Sequence, residues 1–196
     1  GRRFSVGEGV LIPRPETEEL VETAIAFSKN FDKPIIYDLC SGSGCIGISL
    51  ARAIKGSKVY CVEKSEAAFE YLLKNSKIDN NVIAINDDIN NDIDMPLADI
   101  IISNPPYIKS EDLPKLQAEV QREPKEALDG GEDGLDFYRV INEKYSKRLN
   151  PNGVLLLEIG NEQGSDVKSV LSCFKDVKIK QDIYKNDRIV IAKALA

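Results

Sequence analysis

The chain has 196 residues, 42% hydrophobic and 30% charged, enough for one folded domain with a sizeable core and too apolar for a disordered segment. Its 26 Lys and Arg against 32 Asp and Glu leave a formal charge of −6, which argues against binding nucleic acid by bulk phosphate neutralisation. Histidine is absent, which excludes a Ser-His-Asp triad, a Cys-His pair, a His-Glu zinc site and any imidazole acid or base.

An irregular stretch over 1–16 leads into a helix expected over 17–29. Short apolar runs rich in β-branched residues then alternate with helical patterns. Strands are expected over 34–39 (PIIYDL), 58–63 (KVYCVE), 82–86 (VIAIN), 98–103 (ADIIIS) and 154–159 (VLLLEI). Helices are expected over 45–54, 67–77, 135–148 and 162–174. Near-continuous hydrophobicity is what a parallel strand covered on both faces requires. The segment 176–195 reads as two closing strands, 177–182 and 188–194, with no helix between them. The expectation is therefore α/β: a doubly wound, mostly parallel seven-stranded sheet of the Rossmann-like class, ending in a C-terminal antiparallel hairpin. A second long irregular stretch, from 108 to about 133, follows a strand's carboxyl end, where ligands bind in open α/β sheets.

After the first strand come Asp38, Leu39, Cys40, Ser41, Gly42, Ser43, Gly44, Cys45, Ile46 and Gly47, in which the three glycines form a literal GxGxxG. Glycines let the chain turn sharply and let the backbone approach a ligand, while the following helix offers free N–H groups. Glu63 ends the next strand, where a carboxylate can accept ribose hydroxyls. A nucleoside-type cofactor is expected, and both NAD and S-adenosylmethionine fit that pattern. Asp38 tilts the choice towards the second: a carboxylate before the glycines would repel a pyrophosphate but suits a ligand with an ammonium and a sulfonium. The alternative reading of Asp38 is a cap on its own loop.

The strand ADIIIS ends in Asn104, Pro105, Pro106 and Tyr107. Two prolines fix φ and remove two backbone donors, so the Asn104 side chain and the Pro105 carbonyl can both offer acceptors. Two such acceptors match the two hydrogens of a planar NH₂ group and hold its nitrogen towards a methyl electrophile. Tyr107 supplies an aromatic wall for substrate or methyl-sulfonium. No strong base is needed, because the methylated nitrogen is acidic enough to lose its proton to solvent. The bland alternative is a proline-stiffened turn.

The four cysteines, at 40, 45, 61 and 173, contain no CxxC pair, so neither a disulfide framework nor a metal site is expected and they read as small buried fillers in a reducing cytoplasm. No apolar run approaches the ~18 residues that would span a membrane, and no signal-peptide pattern is present. A chain that begins at Gly1 and has its single methionine at position 95 reads as an excised domain or mature fragment.

With these residues in hand, the chain resembles the class I S-adenosylmethionine-dependent methyltransferases that carry (D/N)PPY, and among them the release-factor glutamine methyltransferases of the HemK/PrmC type. The likeness rests on 4–21 (FSVGEGVLIPRPETEELV), 38–47, 104–107, 123–135 (EPKEALDGGEDGL) and 157–163 (LEIGNEQ). The resemblance implies cofactor contacts at Asp38, Cys40, Ser41, Gly42, Ser43, Gly44, Glu63, Asp88, Ile89 and Asn104, and a substrate amide against Asn104, Pro105, Pro106 and Tyr107. Asn104, Pro105 and Tyr107 carry the expected catalysis. It further implies that the amide belongs to the Gly-Gly-Gln glutamine of class 1 peptide chain release factors, with no direct role for nucleic acid or membrane. The family's small N-terminal helical domain is not among these residues. Cys40 replaces a glycine of the usual loop, and Arg122 stands where an aromatic is expected. Arg14 and Glu158 are each read two ways: Arg14 as a ligand contact or a loop ion pair, Glu158 as a crevice residue or a plain strand end. Other readings of the same motifs are methylation of the exocyclic amine of adenine in RNA or DNA, a non-catalytic binding module, and an NAD enzyme.

Overall fold

The computed structural model describes residues 3–182 and 184–195. The strands are β1 (Ile35–Leu39), β2 (Lys58–Glu63), β3 (Val82–Asn86), β4 (Ala98–Ser103), β5 (Leu149–Glu158), β6 (Phe174–Gln181) and β7 (Asp187–Ala194). The helices are α1 (Glu16–Ser28), α2 (Cys45–Ala53), α3 (Glu66–Ser76), α4 (Asp136–Val140) and α5 (Gly164–Val170). The strands form one sheet in the order β3-β2-β1-β4-β5-β7-β6. The first five strands pair in parallel, and β7 runs antiparallel to both β5 and β6, as the closing hairpin requires.

Side chains along each central strand alternate between two cores, which is why the runs are apolar throughout. Ile36, Ile100, Ile102 and Leu156 face one layer with Leu20 of α1, Leu50 of α2 and Leu72 of α3. Tyr37, Leu39, Ile101, Leu155 and Leu157 face the other with Tyr138 of α4 and Val167 of α5. From β1 the chain crosses to β2 on one side, whereas β4 lies on the other. The loops after β1 and β4 therefore part at the carboxyl end of the sheet and leave a crevice, the usual ligand position in such a fold.

Several elements differ from the sequence expectation. β5 starts at Leu149, not 154, because Leu149 pairs with Ala98 before Asn150–Gly153 bulge out and pairing resumes at Ile100 with Val154. Asn150 anchors that bulge by donating to Asp99 Oδ1 at 2.9 Å. The helix expected over 135–148 breaks into α4, a π turn at Ile141–Tyr145 and a 3₁₀ turn at Ser146–Arg148. The wider turn keeps Ile141 and Tyr145 buried, with the Tyr145 hydroxyl on the Ile89 carbonyl. α5 cannot begin at Glu162, whose φ of 70° lies in the left-handed region. The stretch 108–133 is ordered by three 3₁₀ turns and a parallel bridge between Ile108 and Asp129. Among the described residues no helix is long and apolar enough to cross a membrane.

Candidate active site

The β1–α2 loop is shaped by three successive demands. Cys40, Gly42 and Gly44 have φ of 57°, 55° and 78°, so the loop winds through the left-handed region that glycine adopts most readily. Cys40 makes that conformation with a side chain, at a cost of about 1–2 kcal/mol. The turn is closed by Gly44 N–H on the Ser41 carbonyl at 2.8 Å and by the Ser41 hydroxyl on the Asp38 carbonyl at 2.6 Å. Gly47, in the first turn of α2, packs against β1 and β2, where an added Cβ would collide with Cys61 Sγ and stand 2.9 Å from Asp38 Oδ2. Only glycine lets helix and strands approach so closely.

Glu63 spans the loop and the next turn. Its Oε2 accepts from Gly42 N–H at 2.7 Å and its Oε1 from Ser65 N–H at 2.7 Å. Each oxygen keeps one lone pair for a ligand hydroxyl. Burial raises its pKa, and the backbone N–H groups partly offset that rise. Asp88 is fixed from two sides, by Lys64 Nζ at 2.8 Å on Oδ2 and by Asn90 N–H at 2.9 Å on Oδ1. Burial pushes its pKa up, but Lys64 and Asn90 outweigh it and hold the carboxyl below the usual carboxylate range.

These loops surround a cleft of about 290 Å³. Cys40, Ser41, Gly42, Ser43, Glu63, Asp88, Ile89, Asn104 and Pro106 line it, so most of the residues singled out in the sequence converge on one wall. Cys45 lines it too, so two of the four cysteines edge the cleft while also packing against the two cores. Burial raises the thiol pKa of Cys40 and of Cys45, the latter to about 12, and keeps both protonated. Asp38 is not on the wall. It is fully buried beneath the loop, where Oδ2 accepts from Gly47 N–H at 2.8 Å and Oδ1 has no hydrogen-bond partner among the described residues. Burial lifts its pKa to about 7 despite that N–H.

The Asn-Pro-Pro-Tyr turn divides between two surroundings. Asn104 and Pro106 line the cleft, whereas the buried Pro105 leaves at most its backbone carbonyl for a ligand. Tyr107 is half-buried beside Gly160 and stands among Glu158, Arg188, Arg14 and Glu16. Burial and the Glu158 charge push its hydroxyl up to about 12. The turn is clamped from below: Gln163 Nε2 donates to the Tyr107 carbonyl at 3.0 Å, and Gln163 Oε1 accepts from Gly160 N–H at 2.9 Å. Gly130 and Gly134 press on the Tyr107 backbone so closely that a Cβ at Gly130 would lie 2.7 Å from Tyr107 Cα.

Some wall residues carry no chemical signature in the sequence. Val10, Leu11 and Pro13 come from the N-terminal stretch, Thr17 from α1, Pro124 and Ala127 from the 108–133 stretch, and Phe137 from α4. The first group is held over α3 by Ser5 and Asn75, which bond each other at 2.8 and 3.0 Å. Arg14 ignores its neighbouring acids and pairs with Glu123 at 2.7 Å, tying the two irregular stretches across the cleft mouth. Thr17 donates to Glu158 Oε2 at 2.8 Å, and Asn104 Nδ2 lies 3.4 Å from Thr17 Oγ1. The length of these stretches and their resemblance to a family were their sequence signals.

Residues 20–183 match the family model for the methyltransferase small domain. The release factor glutamine methyltransferase of Thermodesulfovibrio yellowstonii is 40% identical over 96% of this chain and 70% of its own length. That of Clostridium acetobutylicum is 38% identical over 98% and 70%. Among solved structures, the hMettl16 catalytic domain in complex with MAT2A 3′UTR hairpin 6 superposes with a TM-score of 0.73 over 98% of this chain and 76% of that one. At 16% identity it shares the fold alone. The matched stretch contains both the glycine loop and the Asn-Pro-Pro-Tyr turn, and at these identities the chain belongs to the release factor glutamine methyltransferase family.

Proposed function

We propose that the chain, acting as one catalytic domain, transfers the methyl group of S-adenosylmethionine to the side-chain amide nitrogen of a protein glutamine. By kinship its target is the Gly-Gly-Gln glutamine of peptide chain release factors in the cytoplasm. The observation that carries this reading is the meeting of Asn104 with the Gly42–Glu63 lip on one cleft at the point where the strand order reverses. The cleft suits this cofactor. Val10, Val62, Ile89 and Phe137 are apolar enough for an adenine ring, Glu63 keeps acceptors for ribose hydroxyls, and an ammonium bound over the loop would draw the buried Asp38 towards its charged form.

When bound, S-adenosylmethionine supplies an electrophilic methyl group on a sulfonium. The protein's part is positioning. Asn104 Oδ1 accepts one amide hydrogen of the substrate, the Pro105 carbonyl accepts the other, and the nitrogen is presented face-on. The same acceptors stabilise the positive charge that grows on nitrogen. Pro106 and Phe137 exclude water from one side, and the surplus proton leaves to solvent without a histidine.

The test is a recombinant release factor incubated with the protein and S-adenosylmethionine, followed by mass spectrometry of the Gly-Gly-Gln peptide. One methyl on that glutamine is the expected result. Methylation of adenine in RNA or DNA, with the release factor untouched, would overturn the assignment in favour of a nucleic-acid enzyme.

A further inference from the structure

Asn104 can present either its oxygen or its NH₂ to a substrate, because the two amide flips have nearly the same shape. Only one of them serves an incoming NH₂ group. Behind Asn104 lies a pair of buried polar side chains that the chemistry described so far leaves unused: Thr17 on α1, 5% exposed, and Glu158 at the end of β5, 2% exposed. They are 141 residues apart in the chain and bonded at 2.8 Å.

The polarity of that pair is decided by proton counting. A carboxylate only accepts, so the single Thr17 hydroxyl hydrogen is committed to Glu158 Oε2. Thr17 Oγ1 is then left with lone pairs alone and can receive only a donor. The Asn104 donor is Nδ2, which lies 3.4 Å from it. Nδ2 turned to Thr17 leaves Oδ1 for the substrate. Resting on the methyl-transfer reading above, we infer that Thr17 and Glu158 are positioning residues that hold the Asn104 amide with its oxygen towards the substrate amide.

The surroundings of Glu158 support this role. Its backbone carbonyl accepts from the Tyr138 hydroxyl at 3.0 Å, which fixes the strand end. Burial, with Glu16 on α1, raises the Glu158 pKa, and the hydrogen bonds from Thr17 and Asn104 together with Arg188 on β7 pull it back only in part. Tyr107, Tyr138 and Cys45 are the other titratable groups that feel its charge. A protonated Glu158 would donate to Thr17, free the Thr17 hydroxyl to donate to Asn104, and so favour the wrong flip. The relay thus carries its own acid limit, shifted upward from that of a free glutamate.

The experiment uses single-turnover methyl transfer to the release factor at saturating S-adenosylmethionine, with cofactor affinity and thermal melting measured on the same samples. Thr17→Val keeps the shape and removes the hydroxyl. It is expected to slow transfer about tenfold or more while cofactor affinity stays within about threefold, as for loss of one oriented hydrogen bond. Thr17→Ser restores the hydroxyl and is expected to recover most of the rate. Glu158→Gln, an independent variant, is expected to abolish the acid limb of the wild-type rate profile. A Thr17→Val enzyme as fast as wild type, a Thr17→Ser enzyme as slow as Thr17→Val, or an unchanged acid limb in Glu158→Gln would overturn the inference. If wild type itself leaves the glutamine unmethylated, the functional reading fails and the inference falls with it; a methylating wild type with indifferent variants overturns the inference alone.

Discussion

At Asn104 one side chain touches both the cleft and the buried pair behind it, so its removal separates chemistry from binding. Asn104→Ala is expected to lower the methyl-transfer rate by about 10²-fold, the scale of one lost oriented contact in a transition state. The dissociation constant of S-adenosylmethionine, read by calorimetry, is expected to change far less. Equal losses in both would contradict the substrate-holding role. Asp38 makes a different prediction, through pH. Its pKa is raised from 3.8 to about 7, first by burial, against the opposing pull of Gly47 N–H. Between those values the folded chain holds a proton that the unfolded chain has lost. The stability this group contributes is present in full below the lower value and is lost as pH rises through the higher one. Urea melts from pH 4 to pH 8 are expected to show that decline, and Asp38→Asn to flatten it. An ammonium near Asp38 would favour its charged form, so cofactor affinity is expected to rise with pH through about 7 in wild type and to stay level in the variant.

Among the elements, α2 is the one most dependent on a single missing side chain. Gly47 sits at its first turn with Cys61 and Asp38 packed against the place where a Cβ would stand. Gly47→Ala offers better helix propensity but overfills that contact, and overfilling costs about 1–3 kcal/mol. The expected result is a lower melting temperature by about 2–4 °C for each kcal/mol. A melting temperature equal to wild type would mean that α2 can slide outward without loss. The N-terminal stretch behaves as an element although it is neither helix nor strand. Val10 is 2% exposed, and Arg14 to Glu123 joins the stretch to the far side of the cleft. That stretch was legible as unusual only by its length and its resemblance to a family. Nothing in Thr17 itself pointed to Glu158, because no local pattern encodes a contact across 141 positions.

For the molecule as a whole, cofactor binding and stability are linked by mass action. S-adenosylmethionine at about 100 times its dissociation constant is expected to add about 2.7 kcal/mol, or about 5–10 °C of melting temperature. NAD at the same concentration is expected to add nothing. A thermal shift with NAD and none with S-adenosylmethionine would return the dinucleotide reading. The net charge of −6 makes a further distinction. A protein substrate held at a glutamine side chain is expected to be methylated with little dependence on salt between 50 and 200 mM, whereas binding through phosphates weakens steeply over that range.

The class of fold and the chemistry could be read before any coordinate, because both are written in local patterns. Apolar runs such as ADIIIS and VLLLEI declare strands buried on both faces, the glycines at 42, 44 and 47 declare a turn that must admit a ligand, and Asn104 to Tyr107 declares an acceptor-rich turn. Strand order, the depth of Asp38, the bulge before Val154 and the side of the turn that Tyr107 takes lay beyond such reading. Each depends on which distant segments pack together, and packing energy accrues between surfaces rather than along the chain. The tertiary structure alone decided that Thr17 and Glu158 meet behind Asn104, and with them which face of that amide is free to hold a substrate.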